Sequence, residues 1–153
     1  WAAQKPMAKA VVAYGTMWKS TEKMALAISE GIVEGGARVQ LISMDGYYRS
    51  DIIYELLDAG ALVVGSATLN NNLLPKVADV MTYIKGLKPQ NLIGAAFGSY
   101  GWSGEAARQL QDILTDLKVE PICDPLRVKN VPNRDVLAQC RELGKTIAAK
   151  LKG

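Results

Sequence analysis

Three short stretches of the chain concentrate hydroxyls, amides and aromatic rings among glycines. The first is Gly15-Thr16-Met17-Trp18-Lys19-Ser20-Thr21-Glu22. If a helix begins here, the Thr16, Ser20 and Thr21 hydroxyls and the free N–H groups of its first turn converge on a positive helix end. Such a nest holds a phosphate without needing arginine. The same residues also read as an ordinary Ser/Thr cap, with Glu22 favouring the first turn. The second stretch is Ser66-Ala67-Thr68-Leu69-Asn70-Asn71-Asn72, running on to Pro75. Consecutive asparagines tolerate left-handed backbone; they suit a loop that presents amides to a planar ring, or a plain polar turn. The third is Gly98-Ser99-Tyr100-Gly101-Trp102-Ser103-Gly104. Two aromatics among glycines are hard to explain as core: glycines let backbone approach a ligand closely and Trp102 offers a face for stacking, with a surface tryptophan without a ligand as the lesser alternative.

The elements that must position these stretches are legible in the apolar pattern. Five short apolar runs read as strands: Ala8–Tyr14, Arg38–Ser43, Ala61–Ser66, Asn91–Phe97 and Val119–Cys123. They are continuous rather than alternating, as strands covered on both faces are. Between them lie helical stripes: Met24, Ile28 and Ile32; Val77, Val80, Met81, Ile84 and Leu87; Leu110, Ile113, Leu114 and Leu117. A last stripe is Val136, Cys140, Leu143, Ile147 and Leu151, and a shorter segment, Ser50–Asp58, fills the remaining slot. Regular alternation of strand and helix implies an α/β fold: a three-layer α/β/α sandwich around a five-stranded parallel sheet, in the flavodoxin-like order 2-1-3-4-5. Ligands of such folds bind beyond the carboxyl ends of the strands, at the switch point beside the first. The three stretches follow strands one, three and four. Taken together, phosphate donors, an amide-rich loop and an aromatic platform at one sheet edge describe a flavin mononucleotide (FMN) site.

Composition narrows the chemistry further. The 153 residues contain no histidine, which removes Ser–His and Cys–His triads and most zinc and non-haem iron sites. No catalytic side chain and no metal ligand set is expected; a bound cofactor carries the chemistry. Cys123 and Cys140 are too far apart for a CxxC pair, and Cys140 falls on a helical stripe, as a buried structural thiol does. A net charge of +3 without a basic block gives no reason to expect nucleic acid. No apolar run reaches bilayer length and no signal peptide opens the chain, so a cytoplasmic location away from membranes is expected. The start Trp1-Ala2-Ala3-Gln4-Lys5-Pro6 has no methionine; residues 1–7 read as a linker remnant and 8–153 as one domain. Two motif-like groups fail. Gly144-Lys145-Thr146 lacks the glycine at 139 that a Walker A loop needs and lies inside a helix, and Gly98, Gly101 and Gly104 have the wrong spacing for a dinucleotide fingerprint.

The chain resembles the carboxy-terminal flavodoxin-like domain of flavodiiron proteins, including rubredoxin:oxygen oxidoreductases. The resemblance is carried by Tyr14-Gly15-Thr16-Met17-Trp18 with Ser20-Thr21-Glu22, by Val64-Gly65-Ser66 through Asn70-Asn71-Asn72, and most specifically by Ala96-Phe97-Gly98-Ser99-Tyr100-Gly101-Trp102-Ser103-Gly104. It extends to Tyr83-Ile84-Lys85-Gly86-Leu87-Lys88-Pro89 and Val128-Lys129-Asn130-Val131-Pro132. It implies that Thr16, Met17, Trp18, Lys19, Ser20 and Thr21 hold the FMN phosphate. Ala67, Thr68, Leu69, Asn70 and Asn72 would line one flavin edge, and Ser99, Tyr100, Gly101, Trp102 and Ser103 the other, with Trp102 against the ring. Ala67 stands where the family often has proline, which implies a less rigid loop. The family's amino-terminal diiron domain is missing from this sequence. The resemblance implies an electron-transfer module of an oxygen or nitric oxide reductase. Electrons would come from rubredoxin or a similar donor and pass to a diiron centre contributed by a second subunit. Two other readings stay open. One is a free-standing flavodoxin or a flavin-dependent NAD(P)H or quinone reductase. The other is a signalling receiver domain, against which stands the lack of acidic residues after strands one and three.

Overall fold

The structure, a computed structural model, describes residues 9–15, 20–43, 52, 54, 59–69, 72–73, 79–82, 84, 93–100, 105–116, 120–121, 126–129 and 134–152. The strands are β1 (Lys9–Gly15), β2 (Arg38–Ser43), β3 (Ala61–Leu69), β4 (Asn72–Leu73), β5 (Ile93–Tyr100), β6 (Glu120–Pro121) and β7 (Leu126–Lys129). The long helices are α1 (Ser20–Glu34), α2 (Glu105–Asp116) and α3 (Arg134–Lys152). Four parallel strands run in the order β2-β1-β3-β5, the flavodoxin-like arrangement expected from the sequence. Of the run read as a fifth strand, Val119–Cys123, the described residues are Glu120–Pro121, which pair with Ile93 and Gly94; the others lie outside the described residues. Leu126–Lys129 pairs farther along β5, with Phe97–Tyr100.

Strand alternation sorts the core into two layers. Val11, Ala13, Leu62, Val64 and Ala96 face one side, packed with Leu110 and Leu114 of α2, Ile52, and the helical residues Val80, Met81 and Ile84. Ala10, Val12, Tyr14, Val63 and Phe97 face the other, against α1 and α3. The stripes expected of the helices are the buried ones: Met24, Ile28 and Ile32 are fully enclosed, as are Leu110, Leu114, Cys140 and Ile147. Val77, Leu87, Leu117 and most of the segment read at 50–58 lie outside the described residues, apart from the helical pair Ile52 and Tyr54.

Helix α1 ends by a specific device. Gly36 takes φ 89°, its N–H donates to the Val33 carbonyl, and the Ala37 N–H donates to the Ile32 carbonyl. This is a Schellman cap, for which glycine is the residue without steric penalty. The crossing of α1 and α3 depends on glycine in another way. A Cβ on Gly144 would meet the Ile28 carbonyl oxygen, lie 2.7 Å from the Ile32 nitrogen and 2.9 Å from the Gly31 Cα. A Cβ on Gly31 would run into the Arg141 carbonyl. The helices therefore touch backbone to backbone. Exposed ion pairs flank the seam, with Arg141 2.8 Å from Glu30 and Lys145 3.6 Å from Glu34.

Candidate functional site at the carboxyl edge of the sheet

The site is built from the strand register. Gly15 at the end of β1 is opposite Ser66 of β3, and Ser66 is opposite Gly98 of β5, which is opposite Arg127 of β7. Neighbouring strands lie about 4.8 Å apart. The row from Gly15 to Gly98 therefore spans roughly 10 Å, the width of a tricyclic ring system with its first hydrogen bonds. The chain leaves this row at the three places where the sequence concentrates hydroxyls, amides and aromatics.

Helix α1 starts at Ser20, five residues after Gly15, so its positive end faces the same edge. Thr21 in its first turn is fully buried, and so is Ser66. Glu22 accepts a hydrogen bond from the Tyr14 hydroxyl at 3.2 Å, which ties the first turn of α1 back to the end of β1. The sequence reading gave Glu22 only a helix-favouring role and missed this contact, because the periodicity that finds a helix face says nothing about a strand residue eight positions earlier.

The second stretch is more ordered than a loop. Ala67, Thr68 and Leu69 continue β3, and the chain reverses so that Thr68 pairs with Leu73 and Leu69 with Asn72 in an antiparallel hairpin. Asn72 is thus a strand residue, and the connection is two residues long, a length that favours asparagine and glycine. Ser99 and Tyr100 likewise extend β5 instead of opening a loop, paired with Val128 and Lys129. Among the expected site residues, Thr16, Met17, Trp18, Lys19, Asn70, Gly101, Trp102 and Ser103 lie outside the described residues.

Packing below the row supports close approach. A Cβ on Gly65 would overlap the Phe97 ring, so the ring lies flat on the β3 backbone one position before Ser66 and Gly98. Cys140 belongs to the same core layer as Phe97, an enclosed free thiol whose pKa burial pushes up to about 12. It has the inert character expected of it. Among the described residues there is no cluster of three or more His, Cys, Asp or Glu side chains able to hold a metal, and no helix long and apolar enough to cross a membrane.

The parallel β2-β1-β3-β5 sheet with helices on both faces defines a flavodoxin-type fold, and the chain matches the flavodoxin family model over residues 12–144. It belongs to that family, a class of FMN-binding flavoproteins. Its close relatives are flavodiiron proteins. The chain is 47% identical over 152 residues to the nitric oxide reductase of Moorella thermoacetica, covering 99% of this chain and 38% of that protein. The solved rubredoxin oxygen:oxidoreductase of Desulfovibrio gigas matches with a TM-score of 0.95 and 46% identity, over 97% of this chain and 37% of that one. A flavodoxin from the domain Archaea matches with a TM-score of 0.86 and 37% identity, over 95% of this chain and 99% of its own. The chain thus spans little more than a third of the flavodiiron relatives and nearly the whole of a flavodoxin.

Proposed function

We infer that this chain is the FMN-carrying electron-transfer module of a flavodiiron oxygen or nitric oxide reductase, fed by rubredoxin or a similar donor and discharging to the diiron domain of the parent protein, of the same or a second subunit. The observation that carries this reading is the row Gly15–Ser66–Gly98, from which all three polar stretches leave. The residues fit the cofactor. Buried Thr21 and the start of α1 suit a phosphate, and the glycine and serine backbone of the row suits a flat ring. FMN bound there supplies one-electron chemistry that the side chains of this chain lack.

The chain's part is to bind, orient and tune. Thr16 through Thr21 take the phosphate. Ala67 to Asn72 line one edge of the ring and Ser99 to Ser103 the other, with Trp102 stacked on it. A backbone amide or carbonyl near Asn70–Asn72 would contact flavin N5. A hydrogen bond of about 1 kcal/mol made in only one redox state moves a one-electron potential by roughly 40 mV. Potentiometry of substitutions at Asn70 and Asn72 tests this role, which fails if neither one-electron step moves. The net charge of +3 assists an acidic donor modestly and less at high salt.

The purified chain is expected to be yellow and to release FMN on denaturation. A colourless chain that cannot be loaded with FMN sinks the reading. A second reading, a free-standing flavodoxin or flavin reductase, is favoured by the end-to-end match to the archaeal flavodoxin. Rapid reduction of the isolated chain by NADPH would select a flavin reductase.

A further inference from the structure

We propose that Phe97, seated on Gly65, is a positioning residue for the candidate flavin edge: its ring fixes the ends of β3 and β5 against each other and so sets how tightly the cofactor binds. The proposal rests on the FMN reading above and adds to it a residue that lies in the core. Gly65 of β3 stands in register between Tyr14 of β1 and Phe97 of β5, both of which face α1 and α3. A Cβ on Gly65 would run into the Cε2 and Cζ atoms of Phe97 and lie 2.7 Å from its Cδ2. The ring thus leans off its own strand and takes the place of the side chain that β3 lacks. A glycine inside a strand weakens it, and an aromatic ring from the neighbouring strand restores the lost packing.

The next rung outward pairs Ser66 with Gly98, and the one after it pairs Ala67 with Ser99. Gly98 brings no side chain to its rung. Among the described residues, the contact of Phe97 with Gly65 is therefore the packing between β3 and β5 that lies nearest the row. Phe97 is fully buried, and the helices above it are held together by backbone contact at Gly31 and Gly144. The ring is confined between sheet and helices, so a methyl group placed on Gly65 displaces the strands along with the ring. That displacement falls one residue before Ser66 and Gly98, where an error in strand spacing becomes an error in everything that leaves the row. A preformed site loses affinity when its spacing changes, even though no group that contacts the ligand has been removed.

Titration of the FMN-free chain with FMN, followed by flavin fluorescence well below the unfolding transition, tests this role together with the visible circular dichroism of the bound flavin. Gly65→Ala is expected to weaken FMN about tenfold and to alter the dichroism. Phe97→Leu in that background makes room for the methyl group and is expected to bring affinity back to within about threefold of the wild type. A merely structural role would lower the denaturation midpoint of Gly65→Ala and leave affinity and dichroism as they were; that result would overturn the proposal. So would a double variant that binds no better than Gly65→Ala. Should Gly65→Ala fail to fold, Phe97→Leu alone decides, because it takes the ring off Gly65. A loss of about threefold with altered dichroism supports the role, and no change overturns it. A wild-type chain that does not bind FMN overturns the FMN reading and the proposal with it, whereas failure of the variants to respond leaves that reading standing.

Discussion

The two faces of the sheet are filled in different ways. On the α1/α3 face, Gly31 and Gly144 bring two helices into backbone contact, and alanines such as Ala25, Ala27 and Ala148 complete the layer. On the α2 face, longer side chains, Leu110, Leu114, Met81 and Ile84 among them, fill the space between helices and sheet. Interdigitated aliphatic chains can rearrange around a lost methylene, whereas two touching backbones have nothing to rearrange. The difference assigns a role to each face. The first holds α1 in one position; the second supplies bulk burial.

Substitutions should separate the two faces. Gly144→Val forces α3 off α1 and is expected to cost about 3 kcal/mol in urea unfolding, the upper part of the overpacking range. A loss under about 1 kcal/mol would show that the crossing yields and that the faces do not differ. The next effect is read by pH. The Cys140 thiol is pushed from 9.0 up to about 12 in the folded chain, so stability is full below pH 9 and falls as pH rises from there toward 12. At pH 10 the loss relative to pH 7 is about 1.4 kcal/mol, one pH unit beyond the unfolded pKa, and Cys140→Ala should flatten the slope. On the opposite face, Ile84→Val is expected to cost about 1 kcal/mol, with flavin affinity unchanged. The smallest effect belongs to Arg141→Ala at the rim of the α1/α3 seam. Its ion pairs with Glu30 and Glu34 are exposed, and the change in denaturation midpoint should fall within error at 0.5 M salt.

Much of the molecule was legible before its fold was known, for a physical reason. Strands covered on both faces and helices with one buried stripe must carry their pattern in the sequence, and Ala10–Ala13, Leu62–Val64, Met24, Ile28 and Ile32 do so. The strand ends were less legible. Reading by apolar content stops β3 at Ser66 and the fourth strand at Phe97, whereas backbone pairing continues to Leu69 and Tyr100. Hydrogen bonds of the ladder are indifferent to side-chain polarity, so a polar strand terminus at a binding edge looks like a loop. The glycine seam was illegible for a different reason. Gly31 and Gly144 gain their meaning only from each other, and neither spacing nor propensity within one helix announces a partner in another. The Tyr14–Glu22 contact is hidden in the same way. The three polar stretches, by contrast, stand out in the sequence because they interrupt otherwise apolar runs.

The seam of α1 and α3 joins distant parts of the chain: Glu30 and Arg141, which meet across it, are 111 positions apart. During synthesis the polypeptide emerges from its amino end, so α1 is made before the helix that clamps it. Until residues near Gly144 have left the ribosome, α1 lacks the neighbour that fixes its axis. The candidate cofactor pocket should therefore mature only once residues near Gly144 have emerged, and nascent chains stalled before residue 134 should not retain flavin.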